Sequence, residues 1–277
     1  MRPITFNATL IYMLPCYYNH DFRKEYTKKK YKDNIASFGL ILFCIENKNT
    51  KDQVVYFLLQ ERRDSFEYGE YVQGLWTDVD RLKFIFAHFS TEEVERNRTY
   101  GIDELWEDLW IDKDSRNYKE GYARAKKKYD EIDTSTREYL KTLNTDVVSP
   151  PWGFPKGRKT SYSESDKECA IRESEEECRV PQDLYKVLPF KYSEKFTGSN
   201  GVNYSTTYFL CEIKEKYIPP RMDTSDKCIR KSSISEEVND VKWLTYEEAC
   251  AYLNSQRQSI LYEANKTITE KFLKNEV

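Results

Sequence analysis

A run of acidic residues in the middle of the chain, Arg172-Glu-Ser-Glu-Glu-Glu177, most strongly constrains its fold and chemistry. In an α-helix, side chains at i, i+3 and i+4 share one face, which groups Glu173, Glu176 and Glu177. The helical period of about 3.6 residues per turn predicts Glu175 on roughly the opposite side. Converging carboxylates repel one another unless a cation lies among them, and hard oxygen ligands suit Mg²⁺ or Mn²⁺. The run therefore predicts a divalent-metal site of the kind that serves phosphate chemistry.

Composition indicates a soluble globular protein without a global affinity for nucleic acid. Of 277 residues, 33% are charged and 39% hydrophobic, and the net charge is only −3. Any RNA site must then be a local basic patch. No apolar run approaches the roughly 20 residues of a membrane span, and the start of the chain lacks a secretory signal pattern. We therefore expect a cytoplasmic protein with no membrane partner.

The cysteines and histidines also narrow the chemistry. The chain has seven cysteines, an odd number, and no C-x-x-C pair, which favours free thiols in a reducing compartment. The two histidines, His20 and His88, give little support to a histidine-based zinc site or a Ser-His-Asp triad. The metal chemistry must therefore rest on carboxylates.

The order of predicted elements indicates a mixed α+β fold. Two apolar runs, 38–45 and 54–59, flank a short polar link and predict a hairpin of buried strands. Residues 69–148 carry helical periodicity without strand signals, and prolines 150 and 151 end this block. After it we predict a helix over 165–178 with a Ser165-x-x-Glu168 capping box. The later predictions are strands at 204–213 and 238–244, and helices from 245 and over about 257–275.

The central motif resembles the Nudix box, G-x5-E-x7-R-E-U-x-E-E-x-G-U, where U is apolar. The positions that match are Gly157, Glu164, Arg172, Glu173, Glu176, Glu177 and Val180. The chain departs from the pattern in three ways. The spacing from Gly157 to Glu164 is one residue longer, Ser174 replaces the apolar residue, and Arg179 replaces the late glycine.

A longer stretch is similar to the Nudix mRNA-decapping enzymes of large cytoplasmic DNA viruses, of the poxvirus and African swine fever virus type. The similarity includes Trp152-Gly-Phe-Pro-Lys-Gly157 and Glu237-Val-Asn-Asp-Val-Lys-Trp243. It implies a viral protein of the host cytoplasm with an α+β Nudix fold, a mixed sheet sandwiched between helices. We predict that residues 1–68 and 149–277 form the Nudix hydrolase domain and that 69–148 form an inserted all-helical lobe that binds RNA.

The resemblance also implies roles for individual residues. Glu177 is the favoured general base, with Glu237 as its rival, while Glu164 and Arg172 support the site. Gly153 and Gly157 are expected to allow a close turn in the loop before the helix. The predicted metal ligands are Glu173, Glu176, Glu177 and Glu237. The predicted substrate-binding residues are Lys156 and Gly157. The candidate RNA-binding residues are Arg124, Lys126, Lys127 and Lys128.

The function predicted from these features is mRNA decapping with Mg²⁺ or Mn²⁺ as cofactor. The enzyme would bind the 7-methylguanosine cap of capped mRNA and release 7-methyl-GDP and 5′-monophosphate RNA. Aromatic side chains would hold the cationic base, although the sequence does not choose among them. Two alternatives stay open at this point. One is a Nudix pyrophosphatase acting on free nucleotides or diphosphoinositol polyphosphates, and the other is an RNA-binding protein with a degenerate Nudix site.

Overall fold

The structure is a computed structural model that describes residues 34–110, 113–197, 203–223 and 232–273. The first 33 residues, which include the basic run 28–32 and His20, lie outside the described residues. Across the part of the chain that is described, no helix is both long and apolar enough to cross a membrane.

Within the described residues the chain begins with two strands, continues with a block of helices and ends with a mixture of strands and helices. In chain order they are β1 (Asn34–Glu46), β2 (Val54–Arg62), α1 (Phe66–Val72), α2 (Val79–Phe86), α3 (Thr91–Thr99), α4 (Ile102–Leu109), α5 (Arg116–Asp130), α6 (Thr134–Thr142), β3 (Trp152–Gly153), β4 (Lys156–Gly157), α7 (Asp166–Cys178), β5 (Tyr185–Thr197), β6 (Asn203–Ile213), β7 (Met222–Asp223), β8 (Ser232–Ser233), β9 (Val238–Thr245), α8 (Tyr246–Tyr252) and α9 (Ser255–Ile268). The predicted hairpin, the helical block and the predicted strands β6 and β9 are all present.

A seven-stranded mixed sheet forms the centre of the fold. Its main order is β3-β2-β1-β6-β5, with β4 paired to β1 and β9 paired to β2. Strands β1 and β6 run parallel, and the other pairs are antiparallel. Strand β5, which the sequence analysis did not predict, pairs with β6 at the end of this order. Its apolar pattern is broken by lysines and by Pro189, near which the β5–β6 register shifts, as expected for an edge strand with a bulge.

The sheet is covered on both faces because successive side chains of a strand point to opposite sides. On β1, Ile41 and Phe43 pack into one core with Leu261 and Ala264 of α9. The alternate residues of β1 pack into a second core that includes Ala170 of α7. The predicted α+β fold, with a mixed sheet sandwiched between helices, is therefore confirmed.

The six helices between β2 and β3 build a third core of their own. Tyr68, Phe86, Phe89 and Trp106 are buried at its centre. A buried ionic group joins these helices to the end of β2: Arg96 contacts Asp64 at 2.9 Å and an aspartate of α4 at 3.0 Å. The position of these helices is consistent with an inserted lobe, while the division of the chain at residues 69 and 149 stays a prediction.

Candidate active site

Helix α7 carries the acidic run, and local sequence fixes where it begins. The side chain of Ser165 accepts a hydrogen bond from the backbone N–H of Glu168 at 3.2 Å, and the Glu168 carboxylate accepts one from the Ser165 N–H at 2.8 Å. This is the predicted capping box. Ala170 and Cys178 on the buried side of α7 pack toward the sheet, so the opposite side presents glutamates to a cleft.

An acidic cleft of about 630 Å³ lies between α7 and the segment that leads into β9. Its lining consists of Glu173, Glu175, Glu176, Glu177, Arg179, Tyr217, Pro220, Ser235, Glu236 and Glu237. The structure thus brings the four predicted metal ligands to one cleft. The expectation that Glu175 points away from it was wrong, because this exposed residue also lines the cleft.

Glu237 reaches the cleft through the pairing of two strands that are far apart in sequence. Strand β9 begins one residue after Glu237 and pairs with β2. The backbone N–H of Arg63, just after β2, donates to the Glu237 carbonyl at 2.9 Å. The Glu237 side chain is exposed in the cleft rather than buried.

Glu177 is the most enclosed of the cleft carboxylates, with 6% of its surface exposed. Its Oε2 accepts hydrogen bonds from Nε2 of Gln60 at 2.7 Å and from the backbone N–H of Lys156 at 2.8 Å. Burial raises the pKa of Glu177 to about 7, and the negative charge of Glu237 acts in the same direction. A carboxylate with this pKa can exchange protons near neutral pH.

Gln60 is a site residue that sequence reasoning missed. It lies on β2 immediately after the apolar run 54–59 and is 4% exposed. Its Oε1 accepts a hydrogen bond from the Cys178 thiol at 2.8 Å, which orients the amide so that Nε2 faces Glu177. In the sequence, the one sign of its role is an amide side chain directly after a continuous apolar run. The partner of that amide is decided only by the packing of β2 against α7.

Glycine at position 157 makes room for Glu173. A Cβ atom at this position would lie 2.0 Å from Cδ of Glu173, so any larger residue would displace the carboxylate. Gly153 likewise lies against Arg257. A Cβ atom at position 153 would lie 2.8 Å from a guanidinium nitrogen of Arg257. The expectation of a close turn was wrong, because both glycines lie in the short strands β3 and β4 and neither has a positive φ. They are required by close packing instead.

Arg172 binds several oxygens around the start of the acidic run. Its guanidinium contacts Oε1 of Glu164 at 2.8 Å, Oε1 of Glu173 at 2.9 Å and Oε2 of Glu176 at 2.8 Å. It also donates to the backbone carbonyl of Arg158 at 2.7 Å. Glu164 in turn accepts from the Thr160 N–H at 2.8 Å. Arg172 thus ties the loop before α7 to the glutamates of the helix through charge-assisted hydrogen bonds.

The residues of the cleft suit divalent cations, although their side chains are not gathered around one point. Among the residues described, no group of three or more His, Cys, Asp or Glu side chains has the geometry of a metal site. Glu173 and Glu176 instead face Arg172. Burial, opposed by Arg172 and assisted by the neighbouring carboxylates, raises the pKa of Glu173 to about 7. Carboxylate oxygens are the ligands that Mg²⁺ and Mn²⁺ prefer, and Gly157 leaves room for that of Glu173. To bind a cation together, Glu173 and Glu176 would have to turn from Arg172 toward the cleft.

A second cavity, of about 400 Å³, lies beside the acidic cleft and is rich in aromatic side chains. Lys156 connects the two regions, since its backbone N–H donates to Glu177 of the cleft while the residue lines this second cavity. Phe196 and Tyr204 stack with ring centres 5.1 Å apart. Glu194 is 3% exposed; its Oε1 accepts from a tyrosine hydroxyl, and its Oε2 has no hydrogen-bond partner among the described residues. We call this the aromatic cavity. Its aromatic lining consists of Phe66, Trp152, Phe196, Tyr204 and Tyr252.

The candidate RNA-binding residues all lie on α5, and none lines the acidic cleft or the aromatic cavity. Lys126 contacts an aspartate of α4 at 3.1 Å, and Lys127 lies 4.0 Å from Glu131. The ammonium of Lys128 lies over the ring of a tryptophan, 4.3 Å from its centre, and Arg124 donates to a backbone carbonyl. The local acidic partners reduce the positive charge that this helix presents.

Comparison with known proteins relates part of the chain to a known domain family. Residues 136–264 match the NUDIX domain model. The chain is therefore similar to Nudix domain proteins over that segment. It is homologous to viral mRNA-decapping proteins and 29% identical over 231 residues to a putative mRNA-decapping protein of Acanthamoeba polyphaga mimivirus, an alignment covering 71% of this chain. The chain spans 60% of the length of that relative.

Other relatives match over most of their length. The mRNA-decapping protein g5R of an African swine fever virus isolate is 26% identical over 247 residues, which cover 87% of this chain and 96% of the relative. Among solved structures, a C. elegans Ap4A hydrolase aligns with 12% identity and a TM-score of 0.42, covering 85% of this chain and 98% of that chain.

Proposed function

We propose that the chain removes the cap of capped mRNA by hydrolysing its pyrophosphate linkage, which releases 7-methyl-GDP and leaves 5′-monophosphate RNA. The observation that carries this proposal is the shared position of Lys156, which joins the acidic cleft to the aromatic cavity. A substrate with a base at one end and a phosphate chain beside it would span these two sites. The decapping relatives support the same substrate class.

The aromatic cavity has the chemistry to hold a cationic purine. Aromatic faces attract such a base by stacking and by cation–π interaction. Among the described residues Oε2 of Glu194 has no hydrogen-bond partner, so it offers an acceptor for the N–H groups on the edge of a guanine. Arg257 lies 3.9 Å from the other oxygen, Oε1, and balances part of the carboxylate charge. Phe196 and Tyr204 supply a stacked aromatic wall next to it.

The acidic cleft provides the groups for hydrolysis. We assign Glu177 as the general base, because its raised pKa suits proton transfer near neutral pH and Gln60 with Lys156 hold its Oε2. Glu237 is the second candidate base, and its position is more exposed. Glu173, Glu176, Glu177 and Glu237 would hold Mg²⁺ or Mn²⁺. When bound, such ions lower the pKa of water and neutralise charge on the phosphates.

Release of 7-methyl-GDP from cap-labelled RNA in the presence of Mn²⁺ or Mg²⁺ tests the proposal. Wild type should release it, and Glu177→Gln should lower kcat by about 100-fold or more, the usual contribution of a general base. Glu175→Gln is a matched control on the same helix, with no assigned role, and should retain the wild-type rate. Turnover of free nucleotides or diphosphoinositol polyphosphates without release of 7-methyl-GDP would contradict decapping. A wild type that binds RNA but hydrolyses none of these compounds would favour the RNA-binding alternative.

Cap recognition by the aromatic cavity is tested separately. Phe196→Leu should lower kcat/KM for methylated capped RNA by about 10-fold or more, as expected for a lost stacking partner. RNA with an unmethylated cap should be less affected, because its base carries no positive charge. Phe272→Leu provides the control, since Phe272 is also partly buried in an aromatic contact, and neither it nor its partner Phe43 lines the cavity.

We further propose that α5 contributes to binding the RNA body. Alanine at Lys126, Lys127 and Lys128 should weaken RNA binding and flatten its salt dependence by about 0.7 in log–log slope for each lost phosphate contact with single-stranded RNA. The matched control replaces three exposed lysines of β5, Lys186, Lys191 and Lys195. An equal effect of both triple variants would contradict a role specific to α5.

A further inference from the structure

Arg179 ends helix α7 in a backbone conformation that arginine rarely adopts. Its φ is 53° and its ψ is 33°, in the left-handed region, and its N–H donates to the Glu175 carbonyl at 3.0 Å. Such a residue is usually glycine, because a Cβ atom is strained there. Among the described residues, the other non-glycine positions with positive φ are Asn47 and Asn49, and asparagine tolerates this region well. The arginine is therefore the exception, and strain of this kind is often retained for function.

The side chain of Arg179 adds a positive charge to the lining of the acidic cleft. It is exposed and lines the acidic cleft two residues after Glu177. Six glutamates line the same cleft, and within the described part of the chain Arg179 is the cationic side chain in that lining. A phosphate chain that enters the cleft would meet mostly negative charge. Arg179 offers it a planar guanidinium that can bind two phosphate oxygens at once.

The Nudix pattern that the chain resembles has glycine at this position. Glycine would end the helix without strain, but it has no side chain to contact a substrate. The motif departure and the backbone strain therefore coincide at one residue, and that residue faces the substrate cleft. Ending the helix does not require an arginine, and the Arg179 side chain is exposed rather than packed into a core.

We propose that Arg179 binds phosphate oxygens of the substrate and helps to neutralise the charge that develops as the phosphoanhydride bond breaks. This assignment rests on the proposed hydrolytic function of the cleft. It does not depend on the identity of the base, because phosphate is common to capped RNA and free nucleotides.

The experiment compares wild type with three variants, Arg179→Gly, Arg179→Asn and Arg179→Lys. Three quantities are measured for each protein: kcat/KM on capped RNA, the affinity for inorganic pyrophosphate with Mg²⁺ by calorimetry, and the midpoint of thermal unfolding. Glycine and asparagine both tolerate the left-handed conformation but lack the charge. Each should lower kcat/KM and pyrophosphate affinity by about 10- to 100-fold, the usual range for a lost charge-assisted hydrogen bond, with an unchanged or higher thermal midpoint. Lysine should retain part of the affinity, because it keeps the charge without the planar fork.

The outcomes separate this proposal from the decapping proposal. Unchanged kcat/KM and pyrophosphate binding in Arg179→Gly would overturn the role of Arg179, as would losses that follow a fall in thermal midpoint. If wild type releases no 7-methyl-GDP but binds pyrophosphate through Arg179, decapping fails while the role of Arg179 stands.

Discussion

The side-chain amide of Gln60 donates a 2.7 Å hydrogen bond to Oε2 of Glu177, across a sequence separation of 117 residues. This contact, with the one from the Lys156 N–H, holds one oxygen of the proposed base in place. Because Gln60 lies on β2 and Glu177 on α7, the orientation of the base depends on how the helix packs on the sheet. The position of β2 is therefore part of the catalytic arrangement.

Gln60→Leu should lower kcat with little change in KM, because it removes one of the two hydrogen bonds that hold Oε2 of Glu177 without altering the substrate sites. Loss of an outer hydrogen-bond partner of a reacting group typically costs about 10- to 100-fold. Steady-state kinetics on capped RNA measure the change. Cys178→Ser serves as the control, since its hydroxyl can still donate to Gln60. A Gln60→Leu enzyme with unchanged kcat would show that Glu177 needs no such support.

Gly157→Ala should weaken divalent-metal binding more than it weakens the fold. The new Cβ would lie 2.0 Å from Cδ of Glu173, and the carboxylate at the end of a flexible side chain can move away. We expect a loss of metal affinity of about 10-fold or more by calorimetry, with a change in unfolding free energy within about 1 kcal/mol.

The matched control for that prediction is Gly69→Ala in helix α1, where the nearest atom to a new Cβ lies 3.8 Å away. It should leave metal binding unchanged and stabilise the protein by about 0.4–1 kcal/mol through the lower entropy of its unfolded chain. Equal metal affinity in both alanine variants would contradict the account of Gly157.

The stability of the metal-free protein should depend on pH through Glu177. Its pKa in the folded protein is about 7, against an ordinary value of 4.5, because burial disfavours the charged form. The folded state therefore holds the proton more tightly than the unfolded state does. Its stabilising contribution is complete below pH 4.5 and is lost as pH rises to about 7.

Chemical denaturation with a chelator at pH 5 and pH 8 measures this effect. Relative to Glu177→Gln, wild type should lose on the order of 3 kcal/mol over that interval. For Glu175→Gln, at an exposed position of the same helix, the unfolding free energy should change with pH as it does in wild type. An equal pH dependence of the unfolding free energy in wild type and Glu177→Gln would show that burial does not raise the pKa of Glu177.

Arg96→Met should destabilise the junction between the sheet and the helical block. Arg96 is 4% exposed and contacts the carboxylates of Asp64 and Asp108 at 2.9 and 3.0 Å. Its loss would break both contacts and leave Arg63, 3.1 Å from Asp64, as a remaining cation beside these buried carboxylates. Breaking buried ion pairs in this way costs about 3–5 kcal/mol. Urea denaturation measures the change. Arg116→Met removes an exposed pair with Glu120 and should cost less than about 1 kcal/mol. A similar cost for both variants would contradict the structural role of Arg96.

Local sequence determined the elements that hold the acidic run. The capping box of Ser165 and Glu168 set the start of α7, and the helical period placed Glu173, Glu176 and Glu177 along one cleft, which Glu175 also lines. These interactions join residues three or four positions apart, so a short stretch of sequence contains them. The apolar runs of β1 and β2 were equally clear, because a strand buried on both faces is continuously hydrophobic. The same reading missed β5, whose apolar pattern is interrupted at the edge of the sheet.

Only the tertiary structure decided which distant residues complete the site. It brought Gln60 to Glu177, placed the start of β9 beside α7, and formed the aromatic cavity from the insert, the sheet and α8. It also showed that Gly157 is needed for the space taken by Glu173 rather than for a turn. Such contacts depend on strand register and helix packing, which no local pattern records. The acidic run alone thus indicated metal-dependent phosphate chemistry, while the fold supplied the partners that orient its carboxylates and the cavity beside them.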